Sequence, residues 1–252
     1  ESVPAVSIDR QCGSSQQSLH FAAQAVMSGT MDVVIAAGVE SMTRVPMGST
    51  GMLFAQAGLG KAKSPRQEER YPGVQFSQFM GAELIAKKYG FDRDALDQYA
   101  LESHQRAAAA TGRGDFNGEI VGLTIETPEG EIVHNIDEGI RFDATFDGIH
   151  SVKLLAEGGV ISAANASQIC DGASAVMVVS ERALKDHGLK PLARIHNLTV
   201  TGGDPVVMLE EPLIFEIGDS KTTGVDFADG DVAGDRLGGL TRKAPIGLPG
   251  LS

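Results

Sequence analysis

The chain has 252 residues, of which 42% are hydrophobic and 31 are glycine, and its formal net charge is −12. This length can bury one large core or two modest ones, and the composition is typical of a globular α/β protein. The negative charge and the lack of a basic patch argue against nucleic acid as a partner, because phosphates attract clustered Lys and Arg. No apolar run is long enough to cross a bilayer, so the sequence predicts no membrane partner.

The cysteine content predicts the compartment. Cys12 and Cys170 are far apart and form neither a metal-ligand spacing nor a disulfide framework. We therefore expect no metal site and a reducing, cytoplasmic location. The sequence opens at Glu1 without an initiator Met or a basic, apolar signal. We expect that a natural upstream portion is absent.

The first 40 residues or so predict a βαβ unit. A short apolar, strand-like run, "VPAVSID", precedes Cys12 and a Gly-Ser-Ser turn. Apolar residues then recur at helical spacing from Leu19 to Met27, and Gly29 closes the helix. The next run, "DVVIAAG", is continuously apolar, which is typical of a strand covered on both faces of a parallel sheet.

An irregular segment and a helix-and-hairpin module follow. Helices are predicted over "SQFMGAELIAKKYG" and over "RDALDQYALESHQRAAAATG", the second with Asp92 as its N-cap and Gly112 at its end. The alternating segments around Pro128 predict a hairpin. "DGASAVMVVS" then predicts a buried strand, "ERALKDHG" a helix and "LARIHNLTV" a strand. In 214–252 Gly and Asp dominate, and we expect poorly ordered chain there.

The position of Cys12 indicates nucleophile chemistry. A helix N-terminus carries free N–H groups and a partial positive charge, which favour thiolate over thiol. Small residues after Cys12 would let a substrate approach, and nearby N–H groups could hold an oxyanion. This arrangement suits acyl transfer through a thioester. A buried structural cysteine is the alternative, and position alone leaves both open.

Several motifs, in order and at plausible spacing over residues 3–212, resemble the thiolases, the acyl-CoA:acetyl-CoA C-acyltransferases. The first is "VPAVSIDRQCGSSQQSLHFAAQAVMSGTMDVVIAAGVESM", which is similar to the nucleophile region of that family. "DEGIR" and "NASQICDGASAVMVVSERALKDHGLKPLARI" resemble its return from loop domain to core, and "GGDPVVM" the start of its second half.

The resemblance implies an α/β fold with a thiolase-like layered αβα core, here incomplete, and an inserted helix-and-hairpin loop domain. The implied pieces are 1–41 and 166–189 as part of the N-terminal core, 42–165 as the loop domain, 190–213 as the start of the C-terminal core and 214–252 as a divergent tail. The family also implies coenzyme A as a substrate with no cofactor, and a homo-oligomer, dimer or tetramer.

The resemblance assigns site residues one by one. Cys12 matches the acylated nucleophile, and its own N–H would help to form an oxyanion hole. Arg141 falls near the nucleotide end of coenzyme A, Ser167 beside the pantetheine arm, and Ala163 and Met80 on the wall of that tunnel. The alternatives are a solvated surface charge for Arg141, a turn cap for Ser167, and ordinary core for Ala163 and Met80.

The sequence also departs from the family. It lacks the Asn-Glu-Ala-Phe motif and the Gly-His-Pro motif whose His activates the nucleophile. Cys170, in "SQICDG", is interpreted as a packed cysteine and not as the family's second catalytic cysteine. We therefore expect a partial thiolase acting on 3-ketoacyl-CoA and CoA with impaired activity. One alternative is an inactive fragment with at most weak acyl-CoA binding. The other is a ketoacyl synthase, but the motifs "GVESM" and "NASQ" favour a thiolase over it.

Overall fold

The computed structural model describes residues 2–60, 63–211 and the backbone of the strand at 225–227. By internal contacts the chain divides into two compact units. Of the described residues, the first unit comprises 2–60, 169–201 and 225–227, and the second comprises 63–168 and 202–211. The sequence-based division into core pieces and loop domain stays a prediction.

The first unit is built on one helix and an antiparallel pair of strands. A 3₁₀ turn at Gln11–Gly13 leads into the longest helix of this unit. In chain order the unit contains α1 (Ser14–Met27), β1 (Val33–Ser41), α2 (Ser49–Gln56), β4 (Asp171–Val179), α7 (Glu181–Asp186), β5 (Ala193–Ile195) and β6 (Val225–Phe227).

The strands β1 and β4 pair antiparallel, from Val33 opposite Val179 to Ser41 opposite Asp171. The predicted βαβ unit is wrong, because the apolar run before Cys12 forms no strand. The prediction of a parallel sheet around β1 is wrong as well, because β1 pairs antiparallel with β4. A continuous apolar run predicts a strand but does not fix the direction of its partner. β4 is also largely exposed and not buried, because β1 is its only strand partner among the described residues.

Small residues let α1 approach this sheet closely. Ala22 and Ala23 of α1 are buried against Ala36 of β1 and Val178 of β4, and Ala23 is only 1% exposed. Alanine keeps helix propensity while it presents little bulk at the contact. This contact fixes the start of α1, and hence Cys12, relative to the sheet.

Asp171 pins the chain where it leaves β1. Its carboxylate accepts hydrogen bonds from the Thr43 hydroxyl at 2.6 Å, the Thr43 N–H at 3.0 Å and the Ser41 hydroxyl at 3.2 Å. The Thr43 hydroxyl is the main cause that lowers the pKa of Asp171, followed by the Thr43 N–H.

Cys170, directly before Asp171, is exposed, so the interpretation of Cys170 as a packed cysteine is wrong.

The second unit is mostly helical. It contains α3 (Pro65–Arg70), α4 (Gln78–Tyr89), α5 (Arg93–Arg113), β2 (Leu123–Thr127), β3 (Gly130–His134) and α6 (Phe146–His150).

Local signals predicted much of this unit. Asp92 is confirmed as the N-cap of α5, since its side chain accepts the Ala95 N–H at 2.9 Å. The helix passes the predicted end at Gly112 and stops at Arg113, because Gly114 takes the positive φ of 76° that ends it. The predicted hairpin is confirmed as β2 paired with β3.

Two further expectations concern the end of the chain. The strand predicted over "LARIHNLTV" is shorter than expected, because only Ala193–Ile195 is a strand, paired antiparallel with β6. The poor order expected for 214–252 falls outside the described residues, apart from β6. Within 2–60 and 63–211, no helix is both long enough and apolar enough to span a membrane.

A three-residue contact closes the C-terminal side of α4. Lys88 Nζ and Tyr89 Oη both donate to Glu210 Oε1, the latter at 2.8 Å. Lys88 is the main cause that lowers the pKa of Glu210, and the Tyr89 hydroxyl is the second. This contact connects Glu210 to the end of α4.

Replacement of Glu210 tests this contact through pH. Because the native pKa lies below the unfolded value near 4.5, Glu210 stabilises the fold fully above that value, and the contribution is lost as the pH falls through the native pKa. Glu210→Gln is expected to lower the midpoint of thermal unfolding at neutral pH, and the difference from wild type should shrink below about pH 4.5. Circular dichroism melts measure this, with the exposed Glu119→Gln as control. Parallel pH curves for wild type and Glu210→Gln would contradict it.

Candidate functional site

The backbone just before Cys12 is strained. Gln11 has a φ of 50°, in the left-handed region that residues other than glycine rarely adopt. Three hydrogen bonds hold it: Asp9 Oδ1 accepts the Gln11 N–H at 2.9 Å, Ser14 Oγ accepts the Arg10 N–H at 2.8 Å, and the Ser14 hydroxyl donates to the Gln11 carbonyl at 2.7 Å. Strain of this kind persists only where surrounding contacts enforce it, and it clusters at functional sites.

The turn leaves Cys12 in front of a helix. Cys12 lies inside the 3₁₀ turn and is exposed, and α1 begins two residues later, after Gly13. The first turn of α1 carries no acidic side chain and no side-chain cap, so its amide end keeps its partial positive charge. Cys12 is therefore not the buried structural cysteine that position alone allowed.

In the second unit, Arg141 lies on a loop that is fastened from two sides. The Arg141 N–H donates to Nδ1 of His104 on α5 at 3.2 Å. Asp137 Oδ1 accepts the Gly139 N–H at 2.7 Å, and Gln168 Nε2 donates to the Gly139 carbonyl at 2.5 Å. The Arg141 residue remains exposed. The loop of Arg141 and the segment that contains Ser167 are thus joined through Gln168.

The segment before Ser167 forms a tight turn closed by Asn165. Asn165 Oδ1 accepts the Ser162 N–H at 2.8 Å, and Ser162 Oγ accepts the Ala164 N–H at 3.2 Å. Ser162 is fully buried, whereas Ala163 at the tip of the turn and Ser167 are exposed. The side chain of Ser167 is therefore accessible, and Ala163 is not a core residue.

Met80 lines a cavity of about 270 Å³ in the second unit and is 53% exposed, so it is not a core residue either. One wall of the cavity is held by Glu83, whose carboxylate accepts the N–H groups of Val160 and Ile161, each at 3.0 Å. The lining is largely apolar, with one acid and one base: Met80, Leu84, Phe91, Val160, Glu83 and Lys87.

The five site residues predicted from the sequence thus fall into two groups. Cys12 belongs to the first unit, and Arg141, Ala163, Ser167 and Met80 belong to the second. Sequence reasoning missed the residues that hold the segments of Arg141, Ala163 and Ser167. These are His104, Asn165 and Gln168, together with Asp97 of α5, whose Oδ1 accepts from Asn165 Nδ2 at 2.8 Å. Asn165 and Gln168 stand in the quoted "NASQ" motif, which was the available signal. The two residues of α5 gave none.

Comparisons with known proteins agree with the motifs. The family model described as "Thiolase, N-terminal domain" matches residues 1–182. A steroid 3-ketoacyl-CoA thiolase of Mycobacterium tuberculosis is 46% identical over 215 residues, which is 84% of this chain and 52% of the relative. A 3-ketoacyl-CoA thiolase of Yersinia pestis is 36% identical over 233 residues, 90% of this chain and 57% of the relative.

A solved structure shares the fold. The crystal structure of human mitochondrial 3-ketoacyl-CoA thiolase matches with a TM-score of 0.66 and 32% sequence identity, over 81% of this chain and 53% of that chain. This match confirms the predicted thiolase-like α/β fold. The chain spans about half the length of the curated relatives it matches.

The strained turn can be tested by substitution at Gln11. A β-branched residue tolerates a positive φ poorly, so Gln11→Val is expected to lower the free energy of unfolding by about 1–3 kcal/mol, whereas Gln11→Gly should cost far less. Gln11→Val should also slow the reaction of Cys12 with a maleimide, measured in a Cys170→Ser background. Gln16→Val, in the same chain but on the exposed face of α1, is the control. Equal effects of the two valine substitutions on stability and thiol reactivity would contradict the role of the turn.

Proposed function

Because this chain belongs to the thiolase family, we propose that it supplies the nucleophile of an acyl-CoA C-acyltransferase that acts on 3-ketoacyl-CoA and CoA. Cys12 carries the acyl group as a thioester. The observation that supports this most is the strained turn that leaves Cys12 exposed in front of α1, at the place of the family's nucleophile motif. Both relatives are named 3-ketoacyl-CoA thiolases, and the one from Mycobacterium tuberculosis is named a steroid 3-ketoacyl-CoA thiolase.

The proposed chemistry has two steps. The Cys12 thiolate attacks the C3 carbonyl carbon of the 3-ketoacyl chain, and its N–H helps to hold the oxyanion. The C2–C3 bond then breaks: the shortened acyl group stays on Sγ, and the electron pair at C2 takes a proton to give acetyl-CoA. In the second step the CoA thiolate attacks the thioester, forms the shortened acyl-CoA and frees the Cys12 thiolate.

We assign coenzyme A binding to the second unit. Arg141 would contact the nucleotide end, because an exposed guanidinium suits phosphate oxygens. Ser167 would bind the pantetheine arm, with Ala163 and Met80 beside it. Their exposure supports this assignment, as does the tether of the Arg141 loop to the Ser167 segment through Gln168. From the resemblance we further propose a dimer or tetramer, and a cytoplasmic location.

We propose that a chain of these 252 residues captures the acyl group but turns over slowly. Its sequence holds neither the Gly-His-Pro nor the Asn-Glu-Ala-Phe motif of the family. One positioned acid or base group is typically worth a factor of about 10²–10⁴ in rate. The alternative function, favoured by the same absence, is an inactive chain with at most weak acyl-CoA binding.

The thioester is tested directly with acetyl-CoA. Wild type should gain the mass of one acetyl group in intact mass spectrometry, and hydroxylamine should remove it. Cys12→Ala should give no adduct, because the acceptor sulfur is gone. Cys170→Ser, which removes the other exposed thiol, should keep the adduct. An adduct that survives in Cys12→Ala, or none in folded wild type, would overturn the proposal; the second result favours the inactive alternative.

Arg141 is tested by the affinity for CoA. A charge-assisted hydrogen bond contributes about 1.5–3 kcal/mol, so Arg141→Gln is expected to raise the Kd for CoA roughly 10- to 100-fold. Isothermal titration calorimetry measures this Kd. Arg106→Gln serves as control, since Arg106 is an exposed arginine of the same unit that pairs with Glu102. If both variants bind CoA like wild type, Arg141 is a solvated surface charge.

A further inference from the structure

A fully buried carboxylate lies in the second unit. Asp97 of α5 is 0% exposed. Aspartate is almost never fully buried unless its charge is paired and its oxygens are hydrogen-bonded. The partners of each oxygen therefore indicate what this residue holds in place.

The two oxygens of Asp97 have different partners. Oδ2 accepts from Arg93 Nε at 2.6 Å and from His150 Nδ1 at 2.9 Å. Arg93 supplies the compensating positive charge, and its Nη2 also donates to the His150 and Val152 carbonyls at 2.9 Å. Oδ1 accepts from Asn165 Nδ2 at 2.8 Å. Arg93 thus balances the negative charge at Oδ2, and Oδ1 faces Asn165.

This contact sets the orientation of the Asn165 amide. Nδ2 donates to Asp97 and to the Val160 carbonyl at 3.0 Å, while Oδ1 accepts the Ser162 N–H at 2.8 Å. A carboxylate only accepts, so a rotated amide would place two oxygens against each other. The turn closed by Asn165 carries the exposed Ala163 at its tip, and Ser167 lies two residues after Asn165. A buried charge therefore lies beneath an exposed surface.

We propose that Asp97 is a positioning residue for the coenzyme A site: it fixes the Asn165 amide, and through it the turn that presents Ala163 and Ser167. This inference rests on the proposed function, because it gives the turn its ligand. A purely structural role for Asp97 would lower the stability of the unit and leave the affinity of the folded protein for CoA unchanged.

The test uses isosteric variants of the full chain. Asp97→Asn and Asn165→Asp each spoil the contact, whereas the double variant Asp97→Asn/Asn165→Asp restores an amide facing a carboxylate. Glu102→Gln makes the same acid-to-amide change in an exposed ion pair of α5 and is the matched control. Circular dichroism establishes folding. The two readouts are the Kd for CoA and hydrogen–deuterium exchange over residues 160–168.

Each single variant should raise the Kd for CoA about tenfold or more and speed hydrogen–deuterium exchange over 160–168. One misplaced hydrogen bond to a charged group is worth about that factor in affinity. The double variant should recover part of the affinity, because it restores the amide–carboxylate contact between positions 97 and 165 but leaves the Val160 carbonyl without its amide donor. Glu102→Gln should bind like wild type. At saturating acetyl-CoA, the rate of thioester formation at Cys12 should change little.

Unchanged Kd and unchanged exchange in both folded single variants would overturn the inference. Faster exchange with an unchanged Kd would reduce Asp97 to a structural residue and also overturn it. If wild type itself binds no CoA, the proposed coenzyme A site is wrong and this assignment falls with it; the exchange data then report only whether Asp97 orders the turn.

Discussion

The candidate nucleophile depends on one backbone conformation, the left-handed φ of Gln11. The Gln11 N–H donates to Asp9 Oδ1, and the Ser14 hydroxyl donates to the Gln11 carbonyl. These bonds hold Gln11 against its intrinsic preference and place Cys12 in the turn that opens α1. The helix itself is fixed because Ala22 and Ala23 pack closely on β1 and β4. A small-residue contact between helix and sheet thus sets the position of the turn, and the turn exposes the sulfur at the positive end of a helix.

The second unit uses buried or half-buried carboxylates for a comparable purpose. Residues 158–168 form little regular structure, so their amides need partners from outside. Glu83 of α4 accepts the N–H groups of Val160 and Ile161, and Asp97 of α5 orients Asn165. Two helices therefore hold one irregular segment through side chains. The exposed residues of that segment can then keep a defined conformation without being part of a core.

The sequence predicted what depends on local signals. The N-cap Asp92, the hairpin and the nucleophile motif around Cys12 were recognisable, since each is decided within a few residues. The direction of the partner of β1 was not, because it depends on residues 130 positions or more away. Glutamine gives no hint of a positive φ at position 11. Asp97 looked like any other acid on a helix, since its contact with Asn165 spans 68 positions.

We propose that the fold makes Cys12 an acyl acceptor, and the most direct measurement compares the folded with the unfolded chain. The rate of acetyl transfer from acetyl-CoA to Cys12 is followed by mass spectrometry in a Cys170→Ser background, in buffer and in urea. Because oriented N–H donors are worth about 10²–10³ in rate, the folded chain should react at least about tenfold faster. Equal rates, or faster transfer in the unfolded chain, would contradict the account.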